Sequence, residues 1–328
     1  MPPEDDPVKA AFGDDEDLYD VATWEVRSTL DRVSVATWRA LHRTGRVLLV
    51  SVAVALFATE LTLIAVLVAQ EPILGGLAVF SLLPAVAVAG YFWLGDPTMR
   101  EPLPTLAFTF VLGVVLASLA AVVNTVAFGA VTEYAATEVA TTAAFVVLFF
   151  LVVGPVEETV KWLAVRLYAY RTSEFDAVVD GVVYGAVAGL GFATIENVIY
   201  ISQGYLLPPG TGLTGGVAGA VEVATSRAFV GPGHVIYSAW AGFYLGLAKF
   251  NPDRRGPIVV KGLLIAAFLH ATYNTVVSVL PGGGEVFLVF VVLYDGFWIV
   301  ALWAKLARYR DYYRRVHPVR ATTLSEWL

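Results

Sequence analysis

Eight apolar runs, at 47–69, 73–94, 104–128, 142–168, 177–201, 228–249, 258–280 and 285–305, each reach the roughly 20 residues a helix needs to cross a bilayer core. Inside hydrocarbon the backbone must satisfy its own hydrogen bonds. The runs therefore predict an all-α fold, a polytopic membrane bundle of about eight transmembrane helices. Composition agrees: 58% of the 328 residues are hydrophobic and 15% are charged, whereas a soluble domain is nearer half and a quarter. A water-surrounded globular enzyme is excluded. The chain has no cysteine, which removes a disulfide framework, a thiolate metal site and a cysteine nucleophile together. A net charge of -7 without a broad basic face argues against nucleic acid as a partner. The acidic, lysine-poor composition is halophile-like.

The chain divides by charge into three regions. Residues 1–46 read as a cytoplasmic acidic tail (Glu4, Asp5, Asp6, Asp14, Asp15, Glu16, Asp17) followed by a helix over 22–44. In that helix Val26, Leu30, Val33, Ala40 and Leu41 share a face, with Arg27, Arg32, Arg39 and Arg43 beside it. Trp24 and Trp38 would anchor such a helix in the membrane interface; a short cytosolic helix packed on loops fits the same pattern. Residues 47–305 form the transmembrane bundle, and 306–328 a basic tail. Lys and Arg gather in alternate loops: Arg100, Arg171, Lys249, Arg254 and Arg255 mark one side, whereas 70–72, 129–141 and 281–284 have none and the 202–227 loop has only Arg227, at its end. By the positive-inside rule this predicts a multi-pass cell-membrane protein with both termini cytoplasmic.

Ionisable groups deep in a bilayer are costly unless they face one another or water. The fourth span carries Glu157, Glu158 and Lys161 just after Gly154-Pro155, where proline leaves the Leu151 carbonyl without its helical donor. Two adjacent acids with one cation are suited to general-base chemistry. The fifth span repeats small residues every four positions, Gly181, Gly185, Gly189 and Ala193, and then places Phe192 four residues before Glu196 and beside Asn197. The sixth opens on Gly231-Pro232-Gly233-His234, a broken entry that would put the imidazole in the first helical turn. The seventh carries His270 and Asn274 on one face. Rise per residue allows all four spans to meet in one pocket between the bilayer middle and its outer leaflet. With neither a Ser-His-Asp order nor a cysteine, water is the available nucleophile. Glu157 or Glu158 would take its proton, with Lys161 holding the other acid ionised. His270 with Asn274, and His234, would bind water or the oxyanion.

These four motifs, in this order over about 142–280, resemble the PrsW family of intramembrane proteases, within the wider group of CAAX-processing endopeptidases. The family pattern is Glu-Glu-x-x-Lys, Phe-x-x-x-Glu-Asn, a single His with spaced glycines, and His-x-x-x-Asn. It matches Glu157, Glu158 and Lys161; Phe192, Glu196 and Asn197; His234 with Gly242 and Gly246; and His270 with Asn274. The resemblance implies an endopeptidase that hydrolyses a peptide bond inside the membrane with Glu-activated water. It implies a substrate that is a single-pass membrane protein or a membrane-anchored peptide in the lipid bilayer. A metal is left open. No H-E-x-x-H pair is present, yet His234, His270 and Glu196 could supply the two-His, one-carboxylate set of a zinc site.

Two other classes compete. A transporter or channel would also place polar groups on broken helices, but it predicts a matching cluster in spans 1–3, which the sequence lacks. A non-catalytic scaffold relative would keep the helices without needing all four motifs. Glu60 and Asp295 are explained by none of these readings.

Overall fold

The computed structural model describes residues 17, 25–96, 98, 100–134, 137–207, 214–279 and 284–316. The acidic residues at positions 4–16, Trp24, His317 and Arg320 lie outside them, as do the side chains of Trp38, Ala40, Leu41, His42, Arg43 and Arg314. The chain falls into two units, Met1–Val52 and Ala53–Leu328.

In the first unit the helix starts at Thr29, later than the pattern over 22–44 predicts. Ser28 and Asp31 set that start. The backbone N–H groups of Arg27 and Ser28 donate to Asp31 Oδ2 (3.1 and 2.6 Å), and that of Asp31 donates to Ser28 Oγ at 3.0 Å. This reciprocal capping box satisfies donors that a helix start leaves over. Of the predicted apolar stripe Val26, Leu30 and Val33 are exposed, and the side chains of Ala40 and Leu41 lie outside the described residues. The expected break near residue 45 is absent: helix α1 runs from Thr29 to Gln70. Gly45 is the sole helix-weakening residue there, and one glycine costs only about 1 kcal/mol.

Helices α2 (Ile73–Leu94), α3 (Leu103–Tyr134) and α4 (Glu138–Leu148) follow. A π-helical turn, Phe149–Val153, joins α4 to α5 (Gly154–Leu167). Then come α6 (Asp180–Leu206), α7 (Gly216–Lys249), α8 (Arg255–Val279) and α9 (Gly284–Val316). Among the described residues seven helical segments are long and apolar enough to cross a membrane. The predicted sixth span, within α7, is long enough but less apolar. More than half of α7 is buried among other helices, so it faces protein rather than lipid and needs no apolar surface all round.

The glycine ladder of α6 explains why α7 sits where it does. A Cβ at Gly181, Gly185 or Gly189 would collide with the carbonyl oxygen of Gly242, Ser238 or His234 respectively. Each step of four residues up α6 meets a step of four down α7, so the two helices run antiparallel with their backbones almost touching. On the opposite side a Cβ at Gly191 would strike the Phe110 carbonyl of α3. α6 is thus locked between α3 and α7, with apolar clusters around Leu116 and Tyr184 on one side and Ile236 and Tyr237 on the other.

The broken entry expected at 231–233 is not a break. α7 begins at Gly216, after Gly215 and Gly216 adopt φ of 70° and 59°, and it continues through Pro232. His234 therefore lies mid-helix, about 27 Å along it at 1.5 Å per residue.

Candidate active site

The cluster is built from α3, α5, α6, α7 and α8. Glycine lets α5 approach α8: a Cβ at Gly154 would lie 2.7 Å from the Ala267 carbonyl oxygen. That contact brings Glu157 and Glu158, one turn on, to His270, one turn beyond Ala267. The π turn and Pro155 precede the carboxylates, as the free carbonyl read from the sequence requires.

The two adjacent acids have different surroundings. Glu158 is fully buried and satisfied. Its Oε1 accepts from Lys161 Nζ at 2.7 Å and pairs with His270 Nδ1 at 2.9 Å, and its Oε2 accepts from Ser238 Oγ at 3.3 Å. Glu157 has one oxygen held, Oε1 accepting from Asn124 Nδ2 at 2.8 Å. Its Oε2 is buried with no hydrogen-bond donor. Around that oxygen stand His270 Nε2 at 3.5 Å, Lys161 Nζ at 3.8 Å and His234 Nδ1 at 4.0 Å.

Each imidazole is fixed by a carboxylate on its far nitrogen. His270 Nδ1 faces Glu158, and His234 Nε2 lies 2.8 Å from Glu196 Oε2. In the neutral rings those nitrogens carry the proton, which leaves a lone pair on His270 Nε2 and on His234 Nδ1. Lys161 Nζ meets the latter at 3.0 Å. Phe192 lies under the same ammonium, 4.3 Å from ring centroid to nitrogen, and packs on His234. A cation over a ring face is attracted by its quadrupole, which gives the Phe-x-x-x-Glu spacing its purpose.

Arg227 is the residue that sequence reasoning missed. It was counted as a loop charge at the end of 202–227, yet it sits inside α7, seven residues before His234 and so on the same face. Its Nε donates to Asn197 Oδ1 at 2.7 Å, and a terminal nitrogen pairs with Glu196. Asn197 in turn donates to Ser81 Oγ of α2 at 3.1 Å. Asn124 of α3 was also missed, because a lone amide in an apolar run carries no charge to mark it. Asp295 accepts from Tyr237 OH at 2.7 Å, and Glu60 from Ser118 Oγ at 2.7 Å, so both acids without a sequence explanation are anchored in the bundle.

Glu157, Glu196, Arg227, His234, His270 and Asn274 all line one cavity of about 750 Å³. Asn274 borders it without a hydrogen bond to the cluster among the described residues. In the cluster as a whole three carboxylates, Glu157, Glu158 and Glu196, face two cations, Lys161 and Arg227, so one negative charge is left for a proton or a bound cation to balance. A buried group able to hold a metal consists of Glu157, His234 and His270, with one ligand atom from each within 4.8 Å of the others. This differs from the set expected from sequence: Glu196 stands behind His234 rather than beside the lone pairs.

A membrane helix bundle with an open carboxylate between two oriented imidazoles at an internal cavity has the arrangement of an intramembrane hydrolase. The comparisons give the family. The model of the PrsW family of intramembrane metalloproteases matches residues 101–301. The chain is 33% identical over 221 residues to the protease PrsW of Geobacillus kaustophilus (strain HTA426), covering 67% of this chain and 84% of that one. It is 30% identical over 227 residues to the protease PrsW of Bacillus subtilis (strain 168), covering 69% and 92%. No solved structure is significantly similar to it. The chain belongs to the PrsW family and is an intramembrane endopeptidase.

Proposed function

We propose that this protease cleaves a single-pass or membrane-anchored substrate by attack of a water molecule whose proton passes to Glu157 Oε2. The observation that carries this reading is the asymmetry of the acid pair: Glu158 is saturated by Lys161, His270 and Ser238, whereas Glu157 keeps one buried oxygen without a donor at the cavity. A base must have a free lone pair within reach of the proton it takes. Lys161 keeps Glu158 ionised, and Glu158 holds His270 so that Nε2 stands beside the attacking water. Glu196, fixed by Arg227 and Asn197, does the same for His234. Asn274 would donate a side-chain N–H to the developing oxyanion, while the lone pair on His270 Nε2 accepts from the attacking water. Glu157 then returns the proton to the leaving amine.

A second reading has its own support, the spacing of Glu157, His234 and His270 and the family's description as metalloproteases. The donors suit zinc, and those three residues would hold it; when bound, zinc would polarise a carbonyl and acidify a water. Glu157 would then be a ligand instead of the base, and Lys161 would have to release His234 Nδ1, whose lone pair it meets at 3.0 Å. That contact favours the first reading.

The loop charges orient the site toward the outer leaflet, with both termini in the cytoplasm. The test is reconstitution of this chain alone in proteoliposomes with single-pass reporters. Product masses should place the cut within or beside the reporter's span. If no reporter is cut although soluble and transport assays with the same vesicles succeed, the proposal fails.

A further inference from the structure

A second group of buried acids lies far from the cavity. Asp180 opens α6, sixteen residues and about 24 Å of helix before Glu196. With it stand Asp96 and Glu101 from the segment between α2 and α3. All three are buried, and each offers a carboxylate oxygen within 4.8 Å of the other two.

Protein donors take up one oxygen of Asp96 and of Glu101 and leave the other, whereas on Asp180 both are reached, Oδ1 by the Thr98 hydroxyl at 3.4 Å. Asp96 Oδ1 accepts from the Thr98 N–H at 2.8 Å and its hydroxyl at 2.7 Å. Asp180 Oδ2 accepts from the N–H groups of Asp176 and Ala177 at 2.7 and 2.6 Å. Glu101 Oε2 accepts from the buried Tyr184 hydroxyl, and Trp93 Nε1 pins the Glu101 carbonyl at 3.1 Å. Asp96 Oδ2 and Glu101 Oε1, each on a side chain 2% exposed, have no hydrogen-bond partner. Among the described residues no lysine, arginine or histidine nitrogen comes within 4.0 Å of the three carboxylates. Lys249 donates to the Tyr170 carbonyl at 2.9 Å over the ring of Phe175, and its charge, like that of Arg310, reaches the acids only through space beyond ion-pair distance. Three buried acids, two of them with an unfilled oxygen and none paired to a cation, form an expensive arrangement.

We propose that Asp96, Glu101 and Asp180 bind a hard divalent cation, Mg²⁺ or Ca²⁺, which ties the segment between α2 and α3 to the start of α6. An all-oxygen, carboxylate-rich donor set selects such ions over zinc or copper. The 4.8 Å limit equals about twice the 2.3–2.6 Å bond of Ca²⁺, so all three oxygens can reach one ion. The exposed carboxylate of Asp176 lies close enough to add to the negative potential.

The test uses the full chain in detergent carrying Glu157→Gln, which silences proteolysis and disables the other candidate metal group. After chelation, thermal unfolding is followed during titration with MgCl₂, with CaCl₂, and with NaCl at matched ionic strength. The midpoint should climb with one of the divalent ions and saturate, and the ion effective at lower concentration is the one the site selects. Adding Asp96→Asn and Glu101→Gln together should abolish the climb and raise the cation-free midpoint, since the repulsion is gone. A Glu157→Gln midpoint that responds no more to divalent ions than to NaCl overturns the proposal, as does a climb that survives once Asp96→Asn and Glu101→Gln are added. Should that variant fail to fold, electron paramagnetic resonance of Mn²⁺ added to the Glu157→Gln chain decides. One bound Mn²⁺ per chain without histidine nitrogen coupling supports the site, and none bound overturns it.

Discussion

His270 Nε2 lies 3.5 Å from Glu157 Oε2, the one oxygen of the acid pair that no donor claims. The imidazole is held at that place from behind, because its Nδ1 is bonded to Glu158, the neighbouring residue in the chain. Adjacent carboxylates thus divide the work. One fixes the ring, and the other stays open beside it.

Arg227 holds Glu196 and Asn197 and, through Glu196, positions His234. Arg227→Lys keeps the charge but loses the two-point contact with Glu196 and Asn197. Proteolysis should fall by about 10–100-fold, the usual cost of losing a group that orients a site residue. Because geometry rather than charge is lost, the drop should appear in kcat more than in KM, with unchanged expression and unfolding midpoint. Wild-type kcat in this variant would remove Arg227 from the site.

Glu158 and Lys161 form a buried pair with side chains 0% exposed. Removing one partner strands a charge in a low-dielectric interior. Glu158→Gln or Lys161→Met alone should destabilise by about 3–5 kcal/mol. The two together should cost clearly less than the sum. Unfolding of the four proteins in one detergent measures the cycle, and strict additivity would mean that the pair is not coupled.

Metal removal separates the two roles open to Glu157. With Lys161 on His234 Nδ1, enzyme stripped by chelators and shown free of transition metals should keep its activity. Loss of activity that added zinc restores, and that lowering the pH toward the histidine range weakens, would make Glu157, His234 and His270 ligands, since ligating imidazoles must be neutral.

Much of this site was legible because charge is conspicuous in an apolar span. Glu157, Glu158, Lys161, Glu196, His234 and His270 stand out for that reason, and the four-residue glycine repeat announced the close packing of α6. Arg227 was hidden by a boundary error. Gly231-Pro232-Gly233 reads as a helix start, but the glycine at 231 serves packing, with a Cβ there meeting Ala85 at 3.3 Å, and the true start is Gly216. Its spacing of seven from His234, two turns on one face, was the available signal. The choice between Glu157 and Glu158 was not in the sequence at all, since it depends on which acid Ser238 and His270 reach from other helices.

Orientation can be read with single cysteines, because the native chain has none. Thr137→Cys, between α3 and α4, should react with an impermeant maleimide added outside intact cells, and Arg310→Cys should not. The loop charges predict this side by side pattern. The reverse pattern would invert the topology and move the site toward the inner leaflet.

The central claim is that Glu157 carries the chemistry and Glu158 the scaffold. The most direct measurement is the cleavage rate per folded molecule of Glu157→Gln in proteoliposomes. Glutamine keeps the shape and the bond from Asn124 but cannot accept the proton of water. The rate should drop by about 10²–10⁴-fold or more while the unfolding midpoint stays near wild type. A Glu157→Gln enzyme that cleaves at the wild-type rate would contradict the account.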